Sequence, residues 1–187
     1  MESKRFNATH RLLHWSIGLS IIILLSTALL HITWFGREQV AKIIQDNLQL
    51  FDIRISFEDA GVIAKRIALP MWNWHFYVGY VLVGLYALRC VHLAYYGIQF
   101  PSPFNKANTL KQRVQGATYI LFYVLLGVTT FTGIHMLWGP TNLRHIAEIV
   151  HYQSHYYTIV FIMLHFGGIT VTELFMEKGV ASKMIHG

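Results

Sequence analysis

The sequence predicts an all-α integral membrane protein, a four-helix bundle. Of its 187 residues 54% are hydrophobic and 13% charged, where an ordinary soluble domain carries roughly 25% charge. Four stretches contain no Asp, Glu, Lys or Arg: Leu12 to Gly36, Ile67 to Leu88, Val114 to Leu143 and Ile149 to Thr172. A bilayer core about 30 Å thick needs roughly 20 helical residues, since a helix rises about 1.5 Å per residue and closes its own backbone hydrogen bonds. Each stretch is at least 22 residues long, so each can span. The helices are expected near 11–34, 73–97, 112–138 and 148–174, in one domain over 1–187 with an outer-surface loop at 35–72.

The first span follows Lys4 and Arg5 as the core of a signal peptide would. It is too long for that role, holds His14 and His31, and runs to Arg37 and Glu38 without a small-residue cleavage site. It is therefore read as a helix of the mature protein. Cys90 is the sole cysteine and lies inside the second span, which excludes a disulfide framework and a C-x-x-C-H motif.

Orientation follows from the basic residues. Lys4, Arg5, Arg11, Lys106, Lys111, Arg113, Lys178 and Lys183 flank one side, against Glu2, Glu173 and Glu177. The opposite side carries six of each sign. The positive-inside rule then puts both termini in the cytoplasm, in a bacterial inner membrane. The net charge of +6 reflects this topology, and no basic-aromatic pattern points to nucleic acid.

The second connection, GIQFPSPFNKAN, has two prolines and reads as a short turn. The first is longer. Val40, Ile43, Ile44 and Leu48 recur at helical spacing, then Phe51, Ile53, Ile55 and Phe57 alternate. This predicts a surface helix and an extended piece. Ser56 with Asp59 three residues on predicts a further short helix from Phe57 to about Ala68, ended by Pro70. Such a segment suits a cap lying on the outer membrane surface, or a docking element.

Eleven histidines is a high count, and an ionisable residue within a span is a functional candidate by default. His14 lies near the cytoplasmic end of the first span and His75 near the outer end of the second. His151 and His165 sit near the two ends of the fourth. On a continuous helix the fourteen residues between these last two cover about 21 Å and nearly four whole turns, so both would leave one face at opposite depths. Two bis-histidine sites result, His14 with His165 on the cytoplasmic side and His75 with His151 on the outer side. Paired histidines are what a haem iron confined to electron transfer needs, because both axial positions are closed. The expected cofactors are two non-covalent b haems stacked across the bilayer.

Gly18 and Gly79 each follow a histidine, His14 and His75, by four residues. They share its helix face and clear space for a flat macrocycle, or alternatively for a neighbouring helix. Arg89, fourteen residues after His75, lies near the depth of the cytoplasmic pair. Its expected partner is a haem propionate, with snorkelling to headgroups as the alternative. His155 rivals His151 as the outer ligand, and His92 competes on the inner side. His31 and His135 fall at the outer interface, while His10, His145 and His186 are expected in solvent or headgroups.

These residues resemble the small di-haem b-type cytochromes, which include bacterial cytochrome b561 and the cytochrome b subunits of nickel-iron hydrogenases and formate dehydrogenases. The resemblance covers essentially the whole chain. It rests on RLLHW ending at Trp15, WHFYVGYVLVGLYALR ending at Arg89, the His151-x13-His165 spacing and the tail EKGVASKMIHG. It implies ligands from helices 1, 2 and 4, which correspond here to His14, His75, His151 and His165. It also implies quinone as a diffusible substrate and an extrinsic redox subunit or soluble donor in some members. The long first loop departs from the shortest members. The leading function is electron transfer linking a partner at one membrane face to the quinone pool, in a lipid-embedded monomer or homo-oligomer. A stand-alone superoxide:quinone oxidoreductase and a haem-free histidine proton transporter are the alternatives.

Overall fold

The computed structural model describes residues 7–98, 100–175 and 179–186. Glu2, Lys4, Arg5, Glu177 and Lys178, which entered the charge count, lie outside them. The described residues form seven helices: α1 (Ala8–Thr33), α2 (Arg37–Gln49), α3 (Phe57–Tyr96), α4 (Leu110–Trp138), α5 (Thr141–Tyr152), α6 (Ser154–Phe175) and α7 (Val180–Ile185). The described residues form no strand. Four segments are long and apolar enough to cross a membrane: α1, α3, α4 and the α5–α6 run from Thr141 to Phe175.

Helix starts follow local chemistry. The side chain of Asn7 accepts from the His10 N–H at 2.7 Å, which satisfies one of the free donors at the start of α1. Thr109 and Gln112 make a reciprocal capping box at α4. Ser56 accepts from the Asp59 N–H at 3.0 Å and donates its own hydroxyl to the Asp59 carboxylate at 2.6 Å. The expected start at Phe57 is therefore present.

Two expectations about helix continuity are corrected. Pro70 does not end a short helix, because α3 continues through it for 40 residues. Proline removes one N–H and costs about 3 kcal/mol in a helix interior, but no second proline lies in α3, and membrane helices tolerate such losses. At about 1.5 Å per residue, α3 is roughly twice the length needed to span. Its charged first turns, with Glu58, Asp59, Lys65 and Arg66, precede the charge-free stretch.

The fourth span is likewise interrupted, at Gln153. There the Tyr156 N–H bonds the Gln153 carbonyl at 3.1 Å, while the Tyr152 carbonyl accepts from His155 Nδ1 at 2.5 Å. A side chain has replaced the backbone donor four residues on. His151 thus lies in the last turn of α5 and His165 in α6, with the single residue Gln153, itself in the right-handed helical region, between the two helices.

The chain divides into two compact units, one of residues up to Gly18 and from Leu82 onward, the other Leu19–Val81. In the second, Val40 and Ala41 of α2 pack on Ala60 and Ala64 of α3, with Ile44 and Ile55 against them. The segment between α2 and α3 is irregular, with Asp52 at φ 59°. Only Ile55 of the alternating set turns inward, and Gln45 Nε2 donates to its carbonyl at 3.0 Å. In the first unit α4 packs on α5 and α6, and α6 packs on α7. Two bonds tie α7 to the start of α1: Arg11 donates to the Ile185 carbonyl at 3.2 Å and Trp15 Nε1 to the Met184 carbonyl at 3.1 Å.

Ala41 and Ala60 are fully buried, so the α2–α3 contact has no room for a larger side chain. Ala60→Leu should cost about 1–3 kcal/mol through overpacking and speed proteolysis between α2 and α3 by roughly fivefold or more. Cleavage at the wild-type rate would show that this contact does not hold the segment.

Candidate functional site

His14 of α1 and His165 of α6 face each other within one unit, ring centres 5.9 Å apart and planes inclined at 46°. Two imidazoles sharing one metal through bonds of about 2 Å would have ring centres about 6 Å apart, allowing about 1 Å from nitrogen to centroid. The spacing and the donor chemistry therefore fit an axially ligated iron. Phe161, one turn before His165, stacks on it at 5.7 Å and 19°, which restricts the ring's rotation.

In the other unit the His75 Nδ1 lies 2.8 Å from the Thr27 hydroxyl oxygen. That hydroxyl donates its own proton to the Leu24 carbonyl at 2.8 Å, so it serves His75 as an acceptor. Nδ1 then carries the hydrogen and Nε2 the lone pair, the tautomer a metal ligand requires. Trp72 flanks the site, 5.4 Å from His75 and 4.8 Å from His31.

His151 follows the same logic. Its Nδ1 lies 3.1 Å from the Thr129 carbonyl, which can only accept, and 3.3 Å from the Thr132 hydroxyl. Gly133 leaves room for the ring, since a Cβ there would meet His151 Cε1 at 3.0 Å. His155, the rival, is 7% exposed and also donates from Nδ1, to Tyr152.

Around Gly18 and Gly79 an added Cβ would meet nothing within 4 Å among the described residues. Arg89 donates from Nε to Tyr123 Oη at 2.9 Å, and its Nη1 lies 3.1 Å from His10 Nδ1. His10 is consequently a packed residue, not the solvent or headgroup histidine expected; the arginine one helix away gives it a partner. His145 and His186 are exposed, as expected. Buried nitrogens without a partner among the described residues occur on His31, His92 and His135.

Sequence reasoning missed Thr27, Thr129, Thr132, Tyr123 and His10. Threonines recur in these spans, and most of them bond back to a carbonyl of their own helix, as Thr130 and Thr170 do. Nothing in spacing alone separates those from the ones beside a histidine.

A helical membrane protein in which two spans bring histidines face to face inside an apolar interior is by class a candidate haem cytochrome. The chain belongs to the prokaryotic cytochrome b561 family, whose model matches residues 5–187. Membership implies b-type haem and transmembrane electron transfer. No match was found among curated proteins or among solved structures.

The His151 site is tight enough to test directly. Gly133→Leu should push the ring off the Thr129 carbonyl and lower stability by about 1–3 kcal/mol, read as a lower thermal midpoint by circular dichroism in detergent. An unchanged midpoint would mean that the ring yields at no cost.

Proposed function

We propose that the chain carries two b haems, one between His14 and His165 near the cytoplasmic face and one between His75 and His151 near the outer face. In this reading it passes electrons between a redox partner and the membrane quinone pool. The observation that carries it is the His14–His165 pair, whose 5.9 Å spacing suits one iron within a family of b-type cytochromes. The second pair rests on equal depth in the sequence and on the shared Nδ1 donation of His75 and His151.

The haems supply a one-electron iron couple. The chain's own residues do the rest. His14 with His165 and His75 with His151 would each hold one haem iron through two imidazoles, which would leave it no open position for a small molecule and suit it to electron transfer. Thr27 and the Thr129 carbonyl fix the tautomer of their histidines and raise ligand basicity by accepting the Nδ1 hydrogen. Gly18 and Gly79 provide flat helix surface beside the ligands. Arg89 provides a cation for a propionate, with Tyr123 and His10 holding its guanidinium. Both termini face the cytoplasm of a bacterial inner membrane, on the strength of the basic residues flanking that side.

A reduced-minus-oxidised spectrum with haem and iron counted per chain should give two b haems, all released by acid-acetone because no cysteine is placed to form a thioether. One haem per chain, or haem that stays attached, overturns the proposal.

Ligand assignment is tested by substitution. His165→Ala should remove one low-spin signal and spare the other, and His151→Ala should remove the second. Should His155→Ala abolish the outer signal while His151→Ala leaves it, the outer ligand is His155. Gly18→Leu should reduce the yield of the cytoplasmic haem by at least about tenfold without lowering the stability of the haem-free chain, because an added Cβ there meets no described atom within 4 Å. Full occupancy in that variant would free Gly18 of any role beside a macrocycle.

A further inference from the structure

His92 is 8% exposed, and its Nε2 is buried with no hydrogen-bond partner among the described residues. Burying a polar nitrogen without compensation is unfavourable, and such atoms usually face a group that completes them. His92 follows Arg89 by three residues on α3, so the two share a helix face. Opposite them on α1 is His10, one turn before His14. Its ring lies 6.3 Å from His92, edge to face, and its Nδ1 receives Arg89 Nη1 at 3.1 Å. With Nδ1 acting as acceptor, the hydrogen of His10 resides on Nε2.

Three nitrogen donors thus gather one helical turn from His14, around a guanidinium whose partners among the described residues are a phenol and an imidazole, with no carboxylate. A half-buried cation and imidazole N–H groups with no anion between them suit a carboxylate. We infer that Arg89, His92 and His10 form one carboxylate-binding cluster, and that its ligand is a propionate of the haem held by His14 and His165. The inference rests on the proposed haem at that pair. It assigns His92 to the edge of the macrocycle and not to the iron.

The test uses the full chain purified in detergent, comparing wild type with His92→Phe, His92→Gln and Arg89→Gln. Phenylalanine keeps the ring's bulk and removes both nitrogens, while glutamine retains an N–H donor. Each N–H or cationic contact disperses propionate negative charge and so favours the electron-rich ferrous state. His92→Phe should therefore keep both low-spin haems and lower one midpoint potential, the same one that Arg89→Gln lowers further, and His92→Gln should restore part of the shift. The propionate bending band in resonance Raman spectra should move with the potential.

Loss of a low-spin signal in His92→Phe would overturn the inference by making His92 an iron ligand. Two bound haems with both potentials and the propionate band unmoved would overturn it as well, leaving the haem proposal intact. A wild-type chain that binds no haem would instead remove the reading on which it rests.

Discussion

An imidazole at the depth of His14 or His165 cannot turn to water, so whatever satisfies it has to be supplied by the protein or by something the protein binds. The fold is arranged around that requirement. His75, His151 and His155 each give the Nδ1 hydrogen to an oxygen of the chain. His14 and His165 are turned toward each other. His31, His92 and His135 keep a buried nitrogen that no described residue meets. The same rule governs the backbone: the ladder of the fourth span opens at Gln153 only where the His155 ring takes over the Tyr152 carbonyl.

Charge is handled with comparable economy. Arg89 follows directly on the second charge-free stretch, and its hydrogen-bond partners Tyr123 and His10 are a phenol and an imidazole. They orient the guanidinium without cancelling its field. In a medium of low dielectric such a field acts over a longer range than at a solvated surface. On the proposed reading, such a cation would bias a neighbouring electron carrier toward its reduced form.

The four spans were legible because hydrocarbon imposes a strict length and forbids unpaired charge, and both constraints are written residue by residue. The start of α3 at Phe57 was legible in Ser56 and Asp59 for a similarly local reason. Pro70 misled because a breaker's effect depends on the strength of the helix on either side, which no single residue encodes. Gln153 was missed for the opposite reason: the break comes from a side chain two residues on that competes for a carbonyl. At the site, His14 facing His165 followed from depth. The supporting groups Thr27, Thr129 and Tyr123 did not, since which of many hydroxyls and carbonyls lies beside a histidine is decided by helix rotation, a quantity the apolar pattern of a uniformly greasy span leaves undetermined.

The fastening of α7 to α1 bears on how the protein is made. Arg11 and Trp15 bracket His14, and both are held by backbone carbonyls of residues 184 and 185. Its partner histidine at 165 is also synthesised late. His14 therefore stays unmatched until residue 165 has been synthesised, and Arg11 and Trp15 until residues 184 and 185 have. Pairing of His14 with His165 thus joins elements far apart in the chain, and a change that pulls α7 away would act on the first helix without touching a residue of it.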